Sequence, residues 1–118
     1  MGYPGFFEQY WPFLVLALWF GYRWGRARRV VAMLPALRQQ GATVVDVRSL
    51  AEFAGGSAPG AVNIPLPELG SRLDEIPKHA PVVVCCASGT RSGMARLLLK
   101  KHGYPKVFNV GPWRNLMR

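Results

Sequence analysis

The segment CCASGTRS, residues 85–92, combines a candidate nucleophile with a means of activating it. Two cysteines, Cys85 and Cys86, stand side by side, followed by Ala87, Ser88, Gly89, Thr90, Arg91 and Ser92. Residues this small let successive backbone N–H groups turn toward one centre, and such a nest stabilises an anion. The run leads into a helical pattern, so a helix N-terminus acts in the same direction. A thiol at the first position of this loop is expected to ionise easily, because those donors favour its thiolate. Gly89 lets the backbone bend where a side chain would intrude. Arg91 adds a fixed charge at the far edge and can fork two hydrogen bonds to an oxyanion. The loop residues 87–92 are therefore candidate substrate-binding residues, and one cysteine is the candidate nucleophile.

Spacing chooses between the two thiols. Counted from Cys85, the run reads Cys-x5-Arg-Ser, the formal signature of cysteine phosphatases. That signature usually has histidine before the cysteine and glycine three residues after it; here Val84 and Ser88 stand there. Counted from Cys86, the loop is one residue shorter and Gly89 falls three positions after the cysteine. The longer ring suits phosphate, whereas the shorter one closes more tightly on a sulfur atom. Cys86 is thus the candidate catalytic residue. Cys85 reads as a small apolar residue ending a buried strand.

The elements that must hold this loop alternate along the chain. PVVVCC is a continuous apolar strand of the kind buried on both faces of a parallel sheet. RSGMARLLLKKHG is a helix stopping at Gly103, with Lys100, Lys101 and His102 in its last turn. TVVDV, AVNIP and KVFNV read as further strands, and SLAEFA as a helical turn. LPELGSRLDEIP suggests one helix with Leu66, Leu69, Leu73 and Ile76 on one face. RVVAMLPALRQQG suggests another, started or kinked at Pro35 and ending at Gly41. Strands alternating with helices predict an α/β fold, a parallel sheet with helices on both faces. In such sheets ligands bind beyond the carboxyl ends of the strands, where the loop after PVVVCC lies.

The 118 residues suffice for one domain, and half are hydrophobic. The formal charge is +9, from 15 Lys and Arg against 6 Asp and Glu. Such a balance favours anionic partners. Adjacent cysteines cannot build a structural disulfide framework, so a reducing compartment is expected. His79 and His102 are isolated, and neither a metal-ligand spacing nor a Ser–His–Asp order is present.

Residues 1–24 differ from the rest. From Phe6 to Tyr22 the only charge is Glu8, and aromatic residues stand at both ends, as in interfacial belts. These seventeen residues would reach about 26 Å as a helix, against about 30 Å for a hydrocarbon core. A transmembrane or membrane-anchor helix is expected over 1–24, in contact with membrane lipids. Arg23, Arg26, Arg28 and Arg29 follow it, which predicts a single-pass protein with residues 25–118 in the cytoplasm.

With both motifs in view, the chain resembles the rhodanese family of sulfurtransferases. Besides CASGTRS it carries VVDVRSLAEFAGGSAPGAVNIP, with Asp46, Val47, Arg48, Glu52, Phe53, Gly60, Ala61, Asn63, Ile64 and Pro65 at matching positions. The resemblance covers roughly residues 30–112 and implies a rhodanese domain over 25–118. It implies that Cys86 takes a sulfane sulfur as a persulfide from a small sulfur-containing anion, thiosulfate or a protein persulfide. A thiophilic acceptor, cyanide in the usual assay, then receives it. No metal or organic cofactor is implied, and no nucleic acid. Asp46 and Arg48 are implied to support the fold beside the site. Many relatives have Gly-His-Ile where this chain has Gly56, Ser57 and Ala58. Relatives also close with a helix that NVGPWRNLMR leaves room for only as a turn. A non-catalytic rhodanese module docking a partner at the membrane, and a phosphatase or arsenate-reducing enzyme, are the alternative readings.

Overall fold

The computed structural model describes Pro4–Met117; the first three residues and Arg118 lie outside it. Ten elements follow in order. Helix α1 runs Pro4–Gln39, strand β1 Thr43–Asp46, helix α2 Leu50–Ala54 and strand β2 Val62–Asn63. Helix α3 is Leu66–Leu69, followed by a 3-10 turn at Leu73–Glu75. Strand β3 is Val82–Cys86, helix α4 Thr90–Lys101, strand β4 Val107–Pro112, and a 3-10 turn closes the chain at Trp113–Met117.

The four strands form one parallel sheet in the order β2-β1-β3-β4. The order reverses direction between β1 and β3, so the carboxyl ends of these two strands frame the crevice where α/β sheets bind ligands. Alternation sorts the side chains onto two faces. Val45, Val82, Val84 and Cys86 face one layer with Leu69, Ala95 and Leu99 of α3 and α4. Val44, Val83, Cys85 and Val110 face the other, against Val30, Leu34 and Leu37 of α1. Helices thus cover both faces, as expected from the continuous apolar run of β3, all of whose residues are buried.

Three expectations are corrected. First, the two N-terminal segments are one continuous helix that passes through Pro12 and Pro35. Pro35 is exposed, while Val30, Leu34 and Leu37 lie buried against the sheet. Their packing holds the helix across the backbone hydrogen bond that proline removes. Second, among the described residues no helix is long and apolar enough to cross a membrane. Although α1 is long, its apolar part between Gln9 and Arg23 is only Tyr10–Tyr22, about 20 Å of helix against a ~30 Å hydrocarbon core. Third, the helix expected over 66–77 breaks after Leu69 at Gly70 and resumes only as the 3-10 turn. Its apolar face survives, with Leu69 and Ile76 buried and Leu66 and Leu73 packed against them.

Candidate active site

Cys85 and Cys86 are both fully buried, yet they meet different chemistry because β3 points them to opposite faces. Cys85 lies against the α1 layer. Burial pushes its thiol pKa far up, and the Asp46 carboxylate adds to the rise. Cys86 faces α4, at the foot of the loop. Its Sγ accepts a hydrogen bond from the Gly89 N–H at 2.8 Å and lies 3.3 Å from the Ser92 hydroxyl. Burial raises its pKa too, but the Ser92 hydroxyl and the N–H groups of Ser92, Gly89 and Ser88 outweigh it, and the net shift is downward. The loop is therefore a cradle for a sulfur anion at Cys86.

Glycine is required at one turn of that cradle. Gly89 caps α4 with φ 101°, in the left-handed region. A Cβ there would lie 3.2 Å from the Gly111 Cα and 2.7 Å from an Arg23 guanidinium nitrogen. Of the other loop residues, Ala87, Ser88 and Thr90 are exposed at the mouth and Ser92 is buried beneath.

Arg91 turns away from the expected anion position. Its guanidinium forks onto Glu52, at 2.6 and 2.9 Å to the two carboxylate oxygens. The Glu52 carboxyl is held at about 2, first by Arg91 and then by the Ser49 N–H and hydroxyl. Glu52 also closes a capping box with Ser49 at the start of α2, so one carboxylate ties that helix to α4.

Asp46 and Arg48 form a buried pair at the end of β1. The Arg48 Nε donates to both Asp46 oxygens at 3.0 Å, and its Nη2 stands 2.8 Å from Oδ2. Arg48 also donates to the carbonyls of Gly56 and Glu52 and lies over the Trp113 ring at 4.7 Å. Every arm of this guanidinium is engaged, which satisfies its buried charge and ties the segment 46–56 to the last turn. Asn63 donates to the carbonyls of Asp46 and Arg48 and closes the same corner.

Two contributors carry no signal in the motifs. Asn109 accepts from Ser92 Oγ at 2.7 Å and from the Gly111 N–H at 2.9 Å, and donates to the Gly89 carbonyl at 3.2 Å. It pairs in register with Val84, directly before the point where the register of β4 with β3 slips. Arg23 comes from α1, and its Nη2 donates to the Ser88 carbonyl at 3.2 Å. In a sequence, a lone asparagine in a strand and one arginine of a cluster look like any others. Among the described residues no group of His, Cys, Asp and Glu could hold a metal ion.

A buried thiol with lowered pKa thus stands at the carboxyl end of a central parallel strand, wrapped by a short N–H-rich loop. The rhodanese-like domain family matches residues 30–111, and the chain belongs to that family. It is 41% identical over 69 residues to the putative sulfur carrier protein YrkF of Bacillus subtilis, covering 58% of this chain and 37% of that protein. It is 35% identical over 74 residues to the thiosulfate sulfurtransferase PspE of Escherichia coli, covering 61% of this chain and 71% of the relative. Human single-domain sulfurtransferase TSTD1 superposes with a TM-score of 0.61 at 33% identity, over 73% of this chain and 90% of that one. Against several curated relatives the chain spans less than two thirds of their length, namely 37, 55 and 63%.

Proposed function

We propose that the chain is a sulfurtransferase in which Cys86 carries sulfane sulfur as a persulfide. The observation that carries the reading is the focus of donors on Cys86 Sγ, which lowers its pKa in spite of burial. The donor is a small sulfur-containing anion, thiosulfate or a protein persulfide. With thiosulfate, the Cys86 thiolate attacks the outer sulfur, the donor's S–S bond breaks and its electron pair leaves with sulfite. The new terminal sulfur anion is stabilised by the same N–H groups that favour the thiolate. A thiophilic acceptor such as cyanide then attacks that sulfur, thiocyanate departs and the thiolate returns. No cofactor enters the scheme. PspE, named a thiosulfate sulfurtransferase, supports this donor class.

A reactive Cys86 also argues against a non-catalytic module, and the short loop around it against phosphate-ester chemistry. The reading includes attachment of α1 to a membrane surface on the cytoplasmic side. Its exposed aromatic and aliphatic side chains from Phe6 to Leu18 would sit in the interface, with Arg28 and Arg29 at head-group level. Alkaline carbonate extraction of cell membranes, which releases surface-bound proteins, tests that attachment. The test of the chemistry is intact mass after incubation with thiosulfate. One added sulfur atom is expected on the native chain and none on Cys86→Ser; an unmodified native chain refutes the reading.

A further inference from the structure

The cleft between α1 and α4 has a volume of about 770 Å³ and opens on Ser88, Gly89 and Thr90 of the loop. That is within the usual range for small-molecule sites, ~300–1,000 Å³. Trp19, Phe20 and Trp24 of α1 form one wall, and Met94 and Leu97 of α4 form the other. Arg23, Arg26, Arg96, Lys100 and Lys106 also line it, and no acidic residue does. Apolar walls with uncompensated cations select an anion that carries an apolar body. Arg23 is the cation nearest the chemistry. It lies over the Trp19 ring at 4.7 Å and reaches the Ser88 carbonyl, on the rim of the loop that cradles Cys86. The loop's own Arg91 is occupied by Glu52 and leaves this place open.

We propose that this cleft binds the organic body of the sulfur donor, and that the preferred donor is an amphipathic organic anion bearing a terminal sulfane sulfur. Arg23 holds its charged head, and the apolar body lies between the α1 aromatics and Met94 and Leu97. The inference rests on the sulfurtransferase reading above and names its substrate class. An aryl thiosulfonate has the required chemistry. The Cys86 thiolate attacks its terminal sulfur, the donor's S–S bond breaks, and the electron pair leaves with the arenesulfinate. One S–S bond is lost and one formed, with the total charge unchanged and no oxidant or reductant needed.

Benzenethiosulfonate and thiosulfate, compared as donors on the full chain, provide the test. The native protein is expected to show a KM at least 10-fold lower for the aryl donor. Met94 and Leu97 are 58% and 65% exposed, so Met94→Glu and Leu97→Glu are compatible with folding. Each should abolish that preference by raising the KM for the aryl donor about 10-fold more than that for thiosulfate, and Arg23→Ala should raise both KM values. A fraction of misfolded protein lowers kcat for both donors and leaves the KM ratio intact. Equal KM values in the native protein, or an unchanged ratio in Met94→Glu, overturn the proposal. Binding of benzenethiosulfonate to Cys86→Ser, followed by tryptophan fluorescence, separates the two claims. Binding that Met94→Glu weakens about 10-fold, together with a native chain that transfers no sulfur, refutes the sulfurtransferase reading and upholds the cleft. Transfer without such binding refutes the cleft alone.

Discussion

Cys85 and Cys86 share one strand and differ in the face they point to, which decides their reactivity. Cys86→Ser is expected to abolish persulfide formation and transfer, and Cys85→Ser to keep most of both. Sulfur found on Cys85 by peptide mapping would reverse the assignment. The directions of the two pKa shifts give a second check. Because the Cys86 thiol lies below its usual value and that of Cys85 far above, iodoacetamide should label Cys86 alone, at a rate that persists to lower pH than for a free thiol. Ser92→Ala removes a hydrogen bond to the thiolate, worth about 1.5–3 kcal/mol for a charged acceptor. The labelling profile should then move to higher pH, and the rate at neutral pH should fall about 10-fold or more. An unmoved profile would show that the Ser92 hydroxyl spends its one proton on Asn109, the closer acceptor at 2.7 Å.

Positions of the reactive loop depend on elements that grip it from three sides: α2 through Glu52–Arg91, β4 through Asn109, and α1 through Arg23. Gly89→Ala forces a side chain into a left-handed φ, at about 1–2 kcal/mol, and against the Gly111 backbone. Transfer should fall far more than stability, as read by kcat and by thermal melting. The Glu52 carboxyl titrates at about 2 in the fold, below its ordinary 4.5. A depressed carboxylate pKa adds stability that is full above the unfolded value and is lost as pH falls toward the folded one. Melting temperatures of the native chain and Glu52→Gln should therefore converge between pH 5 and about 2; a difference that does not change with pH would show that the ionised carboxylate contributes no stability. The sequence made α4 and β3 legible, because unbroken apolar runs and helix-stop residues are local signals. It hid the grip on Arg91. An arginine at a loop edge can serve an anion or a carboxylate, and only the fold brings α2 within reach of it. The break at Gly70 was hidden for the opposite reason: Leu66, Leu69, Leu73 and Ile76 keep helical spacing across two short pieces.

At the scale of the whole molecule, α1 has two unlike halves, and the molecule measures 62 × 29 × 29 Å as a result. Residues 30–37 belong to the core, where Leu34 and Leu37 are 5% and 3% exposed. Leu34→Ala or Leu37→Ala should each cost about 2–5 kcal/mol, measurable by urea unfolding. Ahead of Val30 no described residue is buried, and Phe6, Phe7, Phe13 and Leu18 stand 65–75% exposed. Exposed apolar surface of this extent is the kind that marks an association site. A chain of residues 18–118 keeps Trp19 and Arg23, hence both the cleft wall and the contact with Ser88. It should melt within a few degrees of the full chain, transfer sulfur with the same KM values and stay monodisperse by light scattering where the full chain aggregates without detergent. A large drop in melting temperature would mean that residues 4–17 support the domain. Equal aggregation of both chains would move the cause to the exposed aromatics from Trp19 onward, and a chain starting at Val30 would then be the monodisperse one, at the cost of Arg23 and its effect on the donor.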